Sequence, residues 1–389
     1  MNPLRIGDLR VKLPIIQGGM GVAISLSGLA SAVANAGGIG VISAVAIGMT
    51  ESGSMKNYRE ANKTALIREI RKARKMTSGI LGVNLMVAVT DYEDLLEVAL
   101  EEEIDVMILG AGLPLKMPAY VLERGFENIP TKFIPKVSSA KAARLIFTSW
   151  AKNFNHIPDA VIVEGPLAGG HLGFKKEDLM NEPDSLESIV EETVEVLKTF
   201  ENDFHKEIPV IAGGGIYDGK DIYHIMQKGA KGVKMGSRFV TTNECDASVK
   251  FKEMYIQSQE KDITLINSPV GLPGRAIRNK FVDRINSGDT KPFKCSWKCL
   301  KSCDAKNAPY CIAQALHNAA QGNLDEGFAF AGTKAYRATK IQSVAEVILD
   351  LKVDYYKMKY MKYLQSFSGI KVIPENIRIP DVFPKIRLA

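Results

Sequence analysis

The stretch IPVIAGGGIYDGKDIYHIMQKGAKGVKMGSRF, residues 208–239, reads as one strand–helix–strand unit. IPVIAGGG is a short apolar run that ends in glycines. DGKDIYHIMQKGA has helical spacing, with a glycine near its end where a helix stop favours one. KGVKMGS, from Lys231, is a second apolar run. Runs this short suit strands buried on both faces, as in a parallel sheet covered by helices. The same unit recurs toward the N-terminus, with runs LPIIQGG from Leu13, GIGVIS from Gly38, GILGVNLM from Gly79, DVMILGAG from Asp105, KFIPKV from Lys132 and DAVIVEG from Asp159. Between them lie the helical stretches LSGLASAVANAGG, YREANKTALIREIRKARKM, YEDLLEVALEEE, SAKAARLIFTSWAKNF and SLESIVEETVEVLKTFE. Ser138 and Ser139 stand where the fourth of these needs an N-cap. Eight strands alternating with helices predict an α/β fold, the (β/α)8 TIM barrel. A doubly wound open sheet is the competing arrangement, but no G-x-G-x-x-G joins a first strand to its helix.

The periodic pattern fades after Leu265, so the barrel is assigned to residues 1–265. Residues 266–335 are turn-rich and then helical, and are read as a smaller, mostly helical cap domain over the barrel mouth. A closing helix is expected at about 340–352, followed by a C-terminal tail over 353–389. The chain has 389 residues, 46% hydrophobic and 24% charged, which suits a globular enzyme with an ample core. Its net charge of +6 is spread among acids, so neither the charge nor its distribution points to nucleic acid. No apolar run approaches the roughly 18 residues of a membrane span. The N-terminal stretch lacks a signal-peptide core, and a cytoplasmic location is expected. The Tyr- and Lys-rich run DYYKMKYMKYL reads as a solvated or oligomer-facing helix, which leaves a homodimer open.

In such a barrel the active site lies at the C-terminal strand ends. These ends carry Gln17, Gly18, Gly19 and Met20, then Asn84, Lys136 and Glu164, with Gly170 and His171 just beyond. The last two strands end in Gly213, Gly214 and Gly215 and in Gly236 and Ser237. Phosphates in these barrels are often held after strands seven and eight, where glycine-rich loops bare backbone N–H groups. No Walker A lysine motif is present, and FMN, a phosphate-bearing flavin, is the expected cofactor. Gln17 and Asn84 could hydrogen-bond the ring edge, and the Lys136 ammonium could stabilise negative charge on a reduced ring. A titratable His171 on this face is expected to be catalytic; His156, His205, His224 and His317 read as surface or packing residues.

As a set, PIIQGGMG with ASAVANAGGIGVIS, GVNLM, EGPLAGGHLG, PVIAGGGI and GVKMGSRF resemble the nitronate monooxygenase (formerly 2-nitropropane dioxygenase) family over residues 13–244. The FMN-dependent enoyl-ACP reductase II group belongs to the same superfamily. The resemblance implies an FMN-containing TIM barrel with a helical second domain. It implies that His171 matches the active-site histidine, and that phosphate contacts fall on Gly213, Gly214, Gly215, Gly236 and Ser237. One branch oxidises alkyl nitronates with O2 to a carbonyl compound and nitrite; the other reduces enoyl thioesters with NAD(P)H. Lys136 resembles the lysine typical of the first branch. Pro166 and Leu167 depart from the pattern and leave the substrate open. A non-catalytic flavin-binding sensor is the remaining alternative.

Four of the five cysteines form C-x3-C-x3-C-x7-C: Cys295, Cys299, Cys303 and Cys311. On a helix this spacing would put the first three on one stripe. Thiolate sets of this kind hold an iron–sulfur cluster or zinc, and reduced packing cysteines are the other reading.

Overall fold

A computed structural model of the protein describes residues 1–51, 57–181, 184–295 and 297–368. An antiparallel hairpin of β1 (Leu4–Ile6) and β2 (Leu9–Val11) opens the chain. The alternation follows: β3 (Ile15–Gln17), α1 (Ser27–Asn35), β4 (Gly40–Ser43), α2 (Tyr58–Met76), β5 (Leu81–Met86), α3 (Tyr92–Glu101) and β6 (Val106–Gly110). Next come α4 (Ala119–Arg124), β7 (Lys132–Val137), α5 (Ala140–Phe154) and β8 (Val161–Glu164). A two-residue strand β9 (Gly170–His171) and the short α6 (Lys176–Met180) precede α7 (Leu186–Phe204), β10 (Val210–Gly213), α8 (Gly219–Gln227), β11 (Gly232–Met235) and α9 (Ser237–Val240).

The eight-stranded sheet runs β3-β11-β10-β8-β7-β6-β5-β4, parallel throughout. It closes through the parallel bridge Ile16–Ile39, where the Gln17 N–H donates to the Ile39 carbonyl at 3.0 Å. The molecule is therefore a (β/α)8 barrel, and each apolar run read from the sequence supplies one strand. Alternation divides each run between two cores. Ile16, Val41, Ile108, Ile134, Ile162 and Ile211 fill the barrel interior, together with Leu4, Ile6 and Val11 of the N-terminal hairpin. Ile15, Ile42, Met107, Phe133, Val161 and Val233 face the surrounding helices. Some of the helices start at side-chain caps: Ser139 accepts from the Ala142 N–H at 3.2 Å, and Asp218 forms a capping box with Asp221 at α8.

Beyond α10 (Val249–Gln257), the segment over the mouth has its own small core of Ile266, Ala276, Phe281, Tyr310, Leu316 and Phe328, into which Val22 and Ala23 of the barrel also pack. It carries the helices α11 (Lys280–Asn286) and α12 (Ile312–Ala320). It also carries a hairpin that was not expected, β12 (Ile263–Asn267) with β13 (Pro273–Ile277). The C-terminal helix α13 runs Val344–Ser368 and packs on α8 and α1. Residues 353–368, expected in the tail, are thus helical; the rest of that tail lies outside the described residues. No helix among the described residues is long and apolar enough to cross a membrane.

Candidate active site

A cavity of about 590 Å³ opens at the C-terminal ends of the strands. Gly18, Gly19, Met20, Asn84, Lys136, Glu164, Gly170, His171, Gly213, Gly214, Gly215, Gly236 and Ser237 all line it, so one space collects almost every site residue expected from the sequence. Gln17 is the correction. It is fully buried, is not part of the lining, and its Oε1 accepts the Val41 N–H at 2.8 Å while its Nε2 donates to the Gly18 carbonyl. The residue was expected at the ring edge because it ends a strand; its side chain instead satisfies backbone groups at the β3–β4 seam.

On one side of the cavity the walls are backbone. Among the described residues, the amides of Gly214, Gly215, Gly236 and Ser237 donate to no protein acceptor. Gly214 has φ +97°, and a Cβ there would lie 3.0 Å from the Ala168 nitrogen and the Gly165 oxygen. A Cβ on Gly19 would lie 2.4 Å from the Asn84 Cβ. Glycine is what lets these loops approach one another and a ligand. Unpaired amides with no side chain in front of them fit the phosphate of a flavin mononucleotide.

Across the cavity the charge is fixed by three side chains. Glu164 Oε2 lies 2.7 Å from Lys136 Nζ, and its Oε1 lies 3.5 Å from Lys234 Nζ. Burial works to raise the Glu164 pKa, but the charges of Lys136 and Lys234 outweigh it and leave the carboxyl below its ordinary value. Burial lowers the Lys234 pKa, with the Lys136 charge acting in the same direction and Glu164 against it. Two amines thus face one carboxylate. Lys234 was missed in the sequence, although a lysine inside the run GVKMG, two residues before Gly236, is a signal: a charge in a buried strand has to face a partner or a ligand.

His171 reaches the cavity because β9 is clamped by β13, with Gly274 opposite His171 and Arg275 opposite Gly170. Its Nε2 is 2.7 Å from the Ser268 hydroxyl, and its ring meets Phe330 edge-on at 4.9 Å between centroids. Burial, with the Lys136 charge added, lowers its pKa from 6.5 to about 4, so the imidazole is neutral at physiological pH. Arg275 is buried and donates through Nη1 to the carbonyls of Pro166 at 2.6 Å and Ala168 at 2.5 Å, which fixes the loop leading to His171. Ser268, Arg275 and Phe330 lie far along the chain from His171, and no local pattern announces them.

Of the four clustered cysteines, Cys299 lines the cavity. Among the described residues of 295–303 the backbone is irregular apart from a bridge at Leu300 and a turn at Lys301 and Ser302, and none of them is helical, so the stripe expected of a helix is not formed. Among the described residues no three of His, Cys, Asp and Glu stand in a metal ion's coordination geometry.

The chain matches the nitronate monooxygenase family in two overlapping stretches, residues 2–97 and 82–354. It is 29% identical over 279 residues to the (3aS,4S,5R,7aS)-5-hydroxy-7a-methyl-1-oxo-octahydro-1H-indene-4-carboxyl-CoA dehydrogenase of Mycobacterium tuberculosis, covering 72% of this chain and 66% of that protein. It is 26% identical over 309 residues to a probable nitronate monooxygenase of Staphylococcus saprophyticus, covering 73% of this chain and 80% of the relative. Among solved structures, FabK from Thermotoga maritima superposes with a TM-score of 0.70 at 28% identity, over 92% of this chain and 96% of that one. The barrel, the cavity and these matches together place the chain in the nitronate monooxygenase family of oxidoreductases.

Proposed function

We propose that the protein is an FMN-dependent oxidoreductase that converts alkyl nitronates and O2 to a carbonyl compound and nitrite. The observation that carries this reading is the meeting, in one cavity, of an amide-lined glycine cradle, the Lys136–Glu164–Lys234 cluster and a neutral His171. The amides of Gly214, Gly215, Gly236 and Ser237 would hold the FMN phosphate, and Asn84 and Lys136 are the candidates for its ring. FMN, when bound, supplies the electron-transfer chemistry that no side chain here can. The lysines attract an anionic nitronate and hold its charge inside the cavity. A histidine whose conjugate acid has a pKa near 4 is a poor base toward a carbon acid that ionises only in the alkaline range. His171 therefore binds the nitro group of a substrate that arrives already ionised, and Ser268 and Phe330 hold the ring in place.

A second reading, reduction of an enoyl thioester with NAD(P)H, is favoured by the apolar outer wall of Leu172, Val270, Leu272, Leu316 and Phe330 and by the CoA-ester substrate in the name of the mycobacterial relative. Anaerobic mixing of the flavin-loaded protein with propane-2-nitronate, and separately with NADH and NADPH, distinguishes the two. Bleaching of the flavin by nitronate but not by nicotinamide, with nitrite formed on admitting air, is the expected result. Bleaching by NAD(P)H alone would replace it with the thioester reading. A protein that binds FMN and responds to neither would be a sensor, and a protein that binds no FMN would sink both catalytic readings.

A further inference from the structure

The Lys136–Glu164–Lys234 cluster holds more amines than carboxylates, and its place in the barrel shows where the missing charge belongs. Alternation along a strand separates residues that face the helices from those that face the barrel axis. On β7, Phe133 and Val137 pack outward and Ile134 inward; on β8, Val161 and Val163 pack outward and Ile162 inward; on β11, Val233 packs outward. Lys136, Glu164 and Lys234 are therefore inward positions, one on each strand, set above the apolar layer of Ile134, Ile162 and Ile211. Glycine makes the room. By the same alternation Gly110 and Gly213 are inward positions of β6 and β10. A Cβ on Gly110 would lie 3.0 Å from the Lys136 Cε, and Gly213 stands in register with both Glu164 and Lys234, so no side chain comes between those two. All five residues line the cavity, and they form its floor.

The three charges on this floor do not balance. Lys136 Nζ donates to Glu164 Oε2 at 2.7 Å. Lys234 Nζ stands 3.5 Å from the other carboxylate oxygen, beyond the usual hydrogen-bond range of about 2.7–3.2 Å, and has no other acidic partner among the described residues. Its side chain is 11% exposed, so water does little to solvate it. Burial outweighs the pull of Glu164, and the Lys136 charge adds to burial, so the Lys234 pKa is lowered. A negative charge above the floor would restore the balance. The phosphate is not that charge: the cradle amides follow the ends of β10 and β11, whereas Lys234 lies inside β11 and faces the axis.

We propose that Lys234 stabilises negative charge on the bound flavin ring, with Glu164 setting how much of the amine's charge the ring feels. This rests on reading the cavity as an FMN site and on neither substrate. Sulfite tests it, because it adds its sulfur lone pair to an oxidised flavin: one S–N bond forms, no group leaves, and the ring takes up negative charge. The FMN-loaded full chain is titrated with sulfite, and the loss of visible flavin absorbance gives a Kd. Lys234→Met should raise that Kd by about tenfold or more, the usual weight of one nearby opposite charge, while Glu164→Gln should lower it. A merely structural role would move both variants the same way. Shifts in one direction, an unchanged Kd in Lys234→Met, or a Lys234→Met chain that loses FMN but keeps riboflavin would overturn the proposal; the last would make Lys234 a phosphate contact. If Lys234→Met fails to fold, Glu164→Gln decides alone: tighter sulfite binding supports the proposal, and weaker or unchanged binding overturns it. An unaltered chain that takes up no FMN sinks the FMN reading and this one together. FMN bound without a sulfite adduct sinks this one alone.

Discussion

His171 shows how a single half-buried side chain ties chemistry to pH. Its folded pKa of about 4 lies below the ordinary 6.5, because burial and the Lys136 charge both oppose protonation. Between those values the unfolded chain binds a proton that the folded imidazole refuses. This group's contribution to stability is therefore complete above about pH 6.5 and falls as the pH drops toward 4. Imidazole resonances followed by NMR should give a midpoint near 4 for His171, and Lys136→Met should move that midpoint upward while leaving it below 6.5. A midpoint that does not respond would mean that the lysine charge is screened from the ring. At the same scale, Gln17 shows where a sequence reading stops. Position at a strand end is legible, but whether a polar side chain turns to the ligand or to the backbone depends on which donor lies within reach. Gln17→Leu should leave flavin binding intact and cost about 1–3 kcal/mol in urea unfolding, the usual penalty for a buried N–H left unpaired at Val41.

The strands and their loops were the most legible elements, because a strand buried on both faces writes itself as an apolar run and a ligand cradle writes itself as glycines. What the glycines do is specific to position. At Gly214, with φ +97° and backbone atoms of Gly165 and Ala168 at 3.0 Å from the missing Cβ, a methyl group is opposed twice, by conformation and by crowding. Gly214→Ala should lower stability by about 1–3 kcal/mol and release FMN on dialysis, whereas the same exchange at the open Gly271 position, which also has positive φ but no neighbour within 4 Å, should affect stability alone. Flavin retention measured after dialysis separates the two effects. The hairpin of β12 and β13 was not legible, because β12 is only partly buried, and β13, though mostly buried, reads PGRAI, with a proline, a glycine and an arginine where an apolar run would announce a strand.

On the scale of the whole molecule, the site is complete only because a distant segment folds back on the barrel. β13 pairs with β9, so the strand that carries Arg275 also sets the height of His171 over the mouth, and Ser268 and Phe330 arrive from the same segment. The barrel supplies the cradle and the lysines; the segment over the mouth supplies the histidine's orientation. That division predicts separable losses. Arg275 holds two carbonyls of the 166–168 loop and has no carboxylate partner among the described residues, and burial lowers its pKa to about 10. Arg275→Leu keeps the apolar bulk but leaves both carbonyls without that donor, and the loop that delivers Gly170 and His171 should loosen. The expected outcome is a fall in kcat of tenfold or more, about 1.4 kcal/mol or more in the barrier, with FMN still bound because its cradle lies on β10 and β11. An equal loss of flavin and of turnover would show instead that the barrel cradle itself depends on the segment above it, and that the two halves of the site are not independent.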